Sequence, residues 1–126
     1  MAKKILITED DEYNRMIFSS ILVRNGYDVI TAEDGQQGIN AALKEHPDLI
    51  LMDVQMPVMT GFEAVKQLKA HADTRDIPVI IVSTEGSKTR IENLMKMGAI
   101  FIRKPFTPEI IRDAVNQSLH TGESHE

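Results

Sequence analysis

The sequence has 126 residues and no cysteine. Disulfide staples, zinc knuckles and thiol nucleophiles are thereby excluded. No apolar run approaches the roughly 18 residues that a membrane span requires. The amino-terminal apolar stretch, Ile5 to Ile7, is too short for a secretory signal and runs straight into acids. Bases are also scarce. There are 14 Lys and Arg against 19 Asp and Glu, a net charge of −5. Nucleic-acid backbones demand clustered cations, so nucleic-acid binding is not the expected main role. A cytoplasmic protein is the simplest reading.

What is present fits one globular domain with a single core: 42% of residues are hydrophobic and 26% charged. The charge is unevenly distributed. Residues 1–60 hold 5 basic and 10 acidic side chains, whereas residues 86–104 hold 5 basic and 1 acidic.

Short apolar runs alternate with segments of helical period. Lys4–Thr8, Asp28–Ala32, Asp48–Met52, Pro78–Ser83 and Ile100–Arg103 read as strands. Between them, Glu12–Asn25 places Met16, Ile17, Ser20, Ile21 and Arg24 at helical spacing, with Asn25 and Gly26 as a stop. Asp34 caps a helix running to Lys44, closed by Pro47, with Ile39, Ala42 and Leu43 inward. Phe62–Ala70 and Ser87–Met97 are helical, the latter ending at Gly98. Thr107 caps a last helix with Pro108 at its first position and Ile111, Ala114, Val115 and Leu119 as its inner stripe. The expected domain covers residues 1–119, followed by a short polar tail, 120–126. Strands apolar on both faces belong in a parallel sheet covered by helices on both sides.

In such sheets, ligands bind beyond the carboxyl ends of the strands. Glu9, Asp10 and Asp11 follow the first strand, and Asp53 follows the third. Ser83 and Thr84 end the fourth, and Lys104 follows the fifth. Each has a plain structural alternative: acids cap helices, a lone Asp forms turns, and a Lys before Pro is a solvated strand end. Together they make one rim of carboxylates, hydroxyls and an ammonium. Clustered carboxylates repel unless a cation sits among them, and a hard divalent cation with oxygen ligands resolves that repulsion. An ammonium and a hydroxyl beside it suit a phosphoryl group. A carboxylate not consumed by the metal can attack phosphorus, and Asp53, single and central, is the candidate.

At these residues the chain resembles the receiver domain of two-component response regulators, most closely the single-domain, CheY-like type. The matching stretches are I-L-I-T-E-D-D-E-Y-N-R (5–15), D-L-I-L-M-D-V-Q-M-P-V-M-T-G (48–61), V-I-I-V-S-T-E-G (79–86) and K-P-F (104–106). The resemblance implies a flavodoxin-like, doubly wound (βα)5 fold with five parallel strands in the order 2-1-3-4-5. It implies that Asp53 is the phospho-acceptor. Asp10 and Asp53 would hold Mg2+ (or Mn2+) directly, Glu9 through water, and Gln55 through its backbone carbonyl. Asp11 would stand outside the ligand set. Ser83 would be the switch hydroxyl and Phe101 the switch aromatic. Lys104 would bind a phosphoryl oxygen, with a cis Lys104–Pro105 bond. The Gly98–Lys104 segment is one residue shorter than in many relatives, so Phe101 is placed by counting back from the lysine. Thr84 stands where Ala is more usual, adding bulk beside the phosphoryl site. Gln55 and Glu85 would flank the approach of water.

The implied activity is a self-catalysed cycle: Mg2+-dependent transfer of a phosphoryl group from a sensor histidine kinase to Asp53, then hydrolysis. It is not conventional enzyme turnover. The readout surface would be the fourth helix, fifth strand and fifth helix, where Lys88, Arg90, Lys96 and Arg103 suit an acidic protein partner. The S-T-E-G-S-K run is similar to some chemotaxis-type receivers, which makes the flagellar motor switch one candidate partner. The expected state is a monomer or a weak phosphorylation-dependent dimer. The alternative is a phosphorelay intermediate that hands the group to a histidine phosphotransferase domain.

Overall fold

The computed structural model describes residues 2–54, 59–84 and 88–120. Five parallel strands, β1 (Lys4–Thr8), β2 (Asp28–Ala32), β3 (Leu49–Met52), β4 (Val79–Ser83) and β5 (Ile100–Arg103), stand in the order β2-β1-β3-β4-β5. Five helices alternate with them: α1 (Glu12–Arg24), α2 (Gly35–Glu45), α3 (Gly61–Ala70), α4 (Lys88–Lys96) and α5 (Pro108–His120). The doubly wound sheet implied by the sequence is the sheet observed.

Period-two alternation divides the core between the two faces. Leu6, Ile50, Met52, Val79 and Ile81 pack with Ile39, Ala42, Ala64, Val65, Leu68 and Leu94 from α2, α3 and α4. Their strand neighbours Ile5, Ile7, Leu49, Leu51, Ile80 and Val82 face Phe18, Ile21, Leu22, Ile111 and Val115 from α1 and α5. The inner strands β3 and β4 are buried at every position, while β2 and β5, at the edges, are partly exposed.

Local chemistry sets the helix ends. The carboxylates of Asp11 and Asp34 accept from the amides of Asn14 and Gln37, each at 2.8 Å. Thr60 and Glu63 form a capping box ahead of α3. The Thr107 hydroxyl accepts from the Ile110 amide at 3.2 Å. Gly26 (φ +88°) and Gly98 (φ +93°) end α1 and α4 in the left-handed region, where a side chain would be strained. Asp48 lies outside β3 and ties the strand's entry to β1: its amide donates to the Lys4 carbonyl at 2.7 Å and its carboxylate accepts from the Lys4 amide at 2.8 Å.

Two details depart from the sequence reading. Helix α5 continues through His120, one residue into the stretch that the sequence marks as tail; residues 121–126 lie outside the described part. Helix α1 buries Phe18, Ile21 and Leu22, while Met16 is 60% exposed. Of the spaced set Met16, Ile17, Ser20, Ile21 and Arg24, Ile21 belongs to the core and Ile17 packs against it, and the set as a whole also lines a groove against Pro108, Glu109 and Arg112 of α5. Helix α1 has two neighbours, the sheet and α5, and Phe18 stacks on Phe106 at 5.3 Å between ring centroids. A spacing argument finds a stripe but does not say which neighbour it meets.

Candidate functional site

The strand order reverses direction between β1 and β3, and ligand sites in open parallel sheets form at such a point, beyond the carboxyl ends. Thr8 is in register with Met52, and Ser83 with Arg103. One residue further on, Glu9 lies beside Asp53 and Thr84 beside Lys104. Backbone bonds carry the ladder into the site: Glu9 donates to Ala32 O at 3.0 Å, Asp53 to Thr8 O at 3.2 Å, and Lys104 to Ser83 O at 3.0 Å. Glu9 and Asp53 are therefore held by the sheet itself.

Glu9, Asp10 and Asp53 each present a carboxylate oxygen, and these oxygens lie within 4.8 Å of one another. Glu9 is 1% exposed and Asp53 7%. Lys104 Nζ approaches Asp53 Oδ2 at 3.2 Å. Burial first, then the Asp53 charge and the Asp10 side chain, push the Glu9 carboxyl up to about 8, against the lowering pull of the Asp11 amide and of Lys104. The Asp11 amide donates to Glu9 Oε2 at 3.1 Å, whereas Glu9 Oε1 is buried without a hydrogen-bond partner among the described residues. An orphaned acceptor inside three converging carboxylates fits an oxygen-seeking cation.

The other expected residues are placed as follows. Asp11 is turned to its capping bond at the start of α1. Ser83 is fully buried at the end of β4, and Thr84 is exposed. Phe101 is half-buried against the core of the α2–α3–α4 side. The Lys104–Pro105 bond is cis. Gln55 and Glu85 lie outside the described residues.

Two arginines were not singled out individually from the sequence. Arg15 Nη1 donates to the carbonyls of Glu9 at 2.8 Å and Asp10 at 3.0 Å, fastening the acidic loop from behind. Its signal was positional: it lies four residues after the Asp11 cap, and helical side chains lean toward the amino terminus. Arg103 donates to the Thr84 carbonyl at 3.3 Å and lies over the Phe101 ring at 5.5 Å from its centroid. The sequence marks it only as part of a basic cluster.

Residues 5–116 match the family profile of the response regulator receiver domain. The chain belongs to this family. Among receivers, it is 37% identical to the chemotaxis protein CheY of Bacillus subtilis over 123 residues, 95% of this chain and 100% of that one. It is also 37% identical to the polar-differentiation response regulator DivK of Brucella ovis over 108 residues, 85% of this chain and 88% of that one. The receiver domain of the sensor histidine kinase PA1611 from Pseudomonas aeruginosa, solved with a magnesium ion coordinated in its active-site cleft, superposes with a TM-score of 0.85 at 27% identity. That match covers 94% of this chain and 98% of that one. The chain is thus a receiver domain of the CheY and DivK type, and it carries an acidic cluster able to hold a metal ion. Among the described residues, no helix is long and apolar enough to cross a membrane.

Proposed function

We propose that the chain accepts a phosphoryl group on Asp53 from a sensor histidine kinase or a small acyl phosphate, and later releases it to water. The observation that carries this reading is the Lys104 ammonium at 3.2 Å from Asp53 Oδ2, at the edge of the three-carboxylate cluster. An Asp53 oxygen attacks phosphorus. The bond from phosphorus to the donor nitrogen or oxygen breaks, and the leaving group departs with the electron pair. Lys104 then holds a phosphoryl oxygen, so the chain contributes mainly position and charge. In the return step, water attacks phosphorus, inorganic phosphate leaves and the carboxylate is restored. Gln55 and Glu85, two places beyond Asp53 and Ser83, set the lifetime of the acyl phosphate.

Asp10 and Asp53 would hold Mg2+ or Mn2+ directly, Glu9 through water and Gln55 through its carbonyl; the magnesium in the PA1611 receiver and the orphaned Glu9 Oε1 support this. When bound, the metal supplies positive charge to the transferring oxygens. Ser83 turns toward the added anion and Thr84 borders it. Phe101 follows, shifting an existing equilibrium that changes the α4–β5–α5 surface seen by a protein partner. CheY and DivK are matched at the same identity, 37%, so similarity alone does not choose a motor switch over another target.

Incubation with acetyl phosphate and Mg2+, read by intact mass, tests the chemistry. A phosphoryl mass gain that vanishes in Asp53→Asn is the expected result. No gain with any donor, a histidine kinase included, would overturn the reading.

A further inference from the structure

The pairing of β4 with β5 runs out at the rim of the site. Ser83 is in register with Arg103, and the Lys104 amide donates to the Ser83 carbonyl at 3.0 Å. Thr84 is the first residue beyond β4, and a side chain takes its carbonyl: Arg103 Nη1 donates to it at 3.3 Å. Arg103 thus adds one rung where the strand ends.

The same guanidinium lies over the Phe101 ring, 5.5 Å from its centroid. Residues two apart on a strand share a face, which puts Arg103 with Phe101, while Lys104 is turned to Asp53 at 3.2 Å. Phe101 is half-buried against the core of the α2–α3–α4 side, so the cation covers a ring that the core covers only in part. A planar guanidinium can donate in its plane while its face rests on a ring; an ammonium has no such pair of surfaces. One side chain therefore holds the start of the β4–α4 connection and the ring on β5 at once. Among the described residues it pairs with no carboxylate.

We propose that Arg103 is a positioning residue that ties Thr84 to Phe101, so that loop and ring move together, and that this tie sets how readily the site accepts a phosphoryl group. The inference rests on Asp53 as the phospho-acceptor and names a residue that regulates it. Thr84 follows Ser83 directly, so a backbone adjustment that carries Ser83 toward an added anion moves the Thr84 carbonyl away from the guanidinium. A shift of the Phe101 ring uncovers the same cation. Both contacts are made in the arrangement seen here and lost in the other, so both favour the resting state. Arg103 is exposed, which keeps each contact weak, and the tie biases an equilibrium instead of locking it.

The test uses fluoroberyllate, a tetrahedral mimic of a carboxylate-bound phosphoryl group. It is titrated by calorimetry, in Mg2+, into the full chain, Arg103→Met, Arg103→Lys and, as a control, Arg112→Met, whose guanidinium is paired with Asp113 on α5. Met keeps an apolar stem and loses the charge and the donor. The expected affinity is about three- to tenfold tighter in Arg103→Met, intermediate in Arg103→Lys and unchanged in Arg112→Met. NMR supplies a readout that a merely structural role would not move. In Arg103→Met without ligand, the Thr84 amide signal and the Phe101 ring signal, one of four phenylalanines, shift together toward their ligand-bound positions. In a Phe101→Leu background the gain from Arg103→Met shrinks, and circular dichroism melts confirm that each variant is folded. A parent chain that binds no fluoroberyllate overturns the Asp53 reading, and the tie with it. A parent that binds, with equal or weaker affinity in Arg103→Met, with the two signals unmoved or moving separately, or with the full gain kept in Phe101→Leu, overturns the tie alone.

Discussion

Lys104 and Asp53 are 51 positions apart in sequence, yet Lys104 Nζ lies 3.2 Å from Asp53 Oδ2. The pair joins the ends of β3 and β5 across the end of β4. Both side chains are largely buried, at 20% and 8% exposure, so the contact is screened less than a surface ion pair would be. Lys104 brings one positive charge to three converging carboxylates.

Removing that cation has two readable consequences. Lys104→Ala leaves the buried Asp53 carboxylate without its ammonium, and the metal-free chain is expected to lose about 1–3 kcal/mol in urea unfolding. The initial rate of modification by acetyl phosphate, followed by intact mass, should fall about 10²-fold, as when one preorganised donor is removed from a developing charge. A rate within a factor of two of the parent chain would remove Lys104 from the chemistry.

The Glu9 carboxyl gives a pH dependence of defined sign. Its ordinary value of 4.5 is raised to about 8 in the folded chain. Between these values the folded state keeps a proton that the unfolded state has lost, so this group's contribution to stability falls as pH rises. It is fully present below 4.5, declines through the window and is lost above 8. Urea titrations in EDTA across this range, compared with Glu9→Gln, should show a steeper decline in the parent chain. Saturating Mg2+ should reduce the difference near pH 8, because the ionised carboxylate then has a cation. A parent chain that grows more stable than Glu9→Gln as pH rises would contradict the burial argument.

The sheet and much of the rim were legible because they rest on simple rules. Runs such as Asp48–Met52 are apolar on both faces, and the acids and Lys104 stand directly after strand ends, where a parallel sheet must gather them. Helix α1 was harder. Phe18 and Leu22 are buried although Met16 and Ile17 make an equally good stripe, because the choice depends on where α5 lies. The arginines were harder still. Arg15 and Arg103 act through backbone carbonyls, which every residue has, so no partner residue type marks them in the sequence. Glu9 shows the same limit: its neighbours were readable, but the burial that raises its carboxyl was not.

The glycine that opens α3 is placed by close approach. A Cβ on Gly61 would stand 2.6 Å from the Asp53 carbonyl oxygen and 2.8 Å from Val54 Cα, both backbone atoms. Gly61 also donates its amide to Val54 O at 2.9 Å. Gly61→Ala must therefore push α3 away from the end of β3, at a cost of about 1–3 kcal/mol in urea unfolding. Because the displaced atoms include those of Asp53, Mg2+ binding measured by calorimetry should weaken as well. A variant as stable as the parent would show that the loop yields at no cost.

Arg15 tests whether position or charge governs the acidic loop. Its guanidinium bonds to the carbonyls of Glu9 and Asp10 hold the two residues that precede α1. Its positive charge near the carboxylates disfavours a second cation, while its fastening keeps those carboxylates convergent. The two effects predict opposite outcomes. If charge dominates, Arg15→Gln binds Mg2+ more tightly than the parent. If fastening dominates, Arg15→Gln binds more weakly by about tenfold, the scale of losing a group that orients metal ligands. The bonds, at 2.8 and 3.0 Å, have good hydrogen-bond lengths and are made to carbonyls that lack the freedom of side chains. Weaker binding is therefore the expected result, with Arg15→Lys, which keeps the charge but loses the planar guanidinium, also weaker than the parent. Calorimetric Mg2+ titration of the three chains decides it, and tighter binding by Arg15→Gln would assign the loop's geometry to the β1 ladder alone.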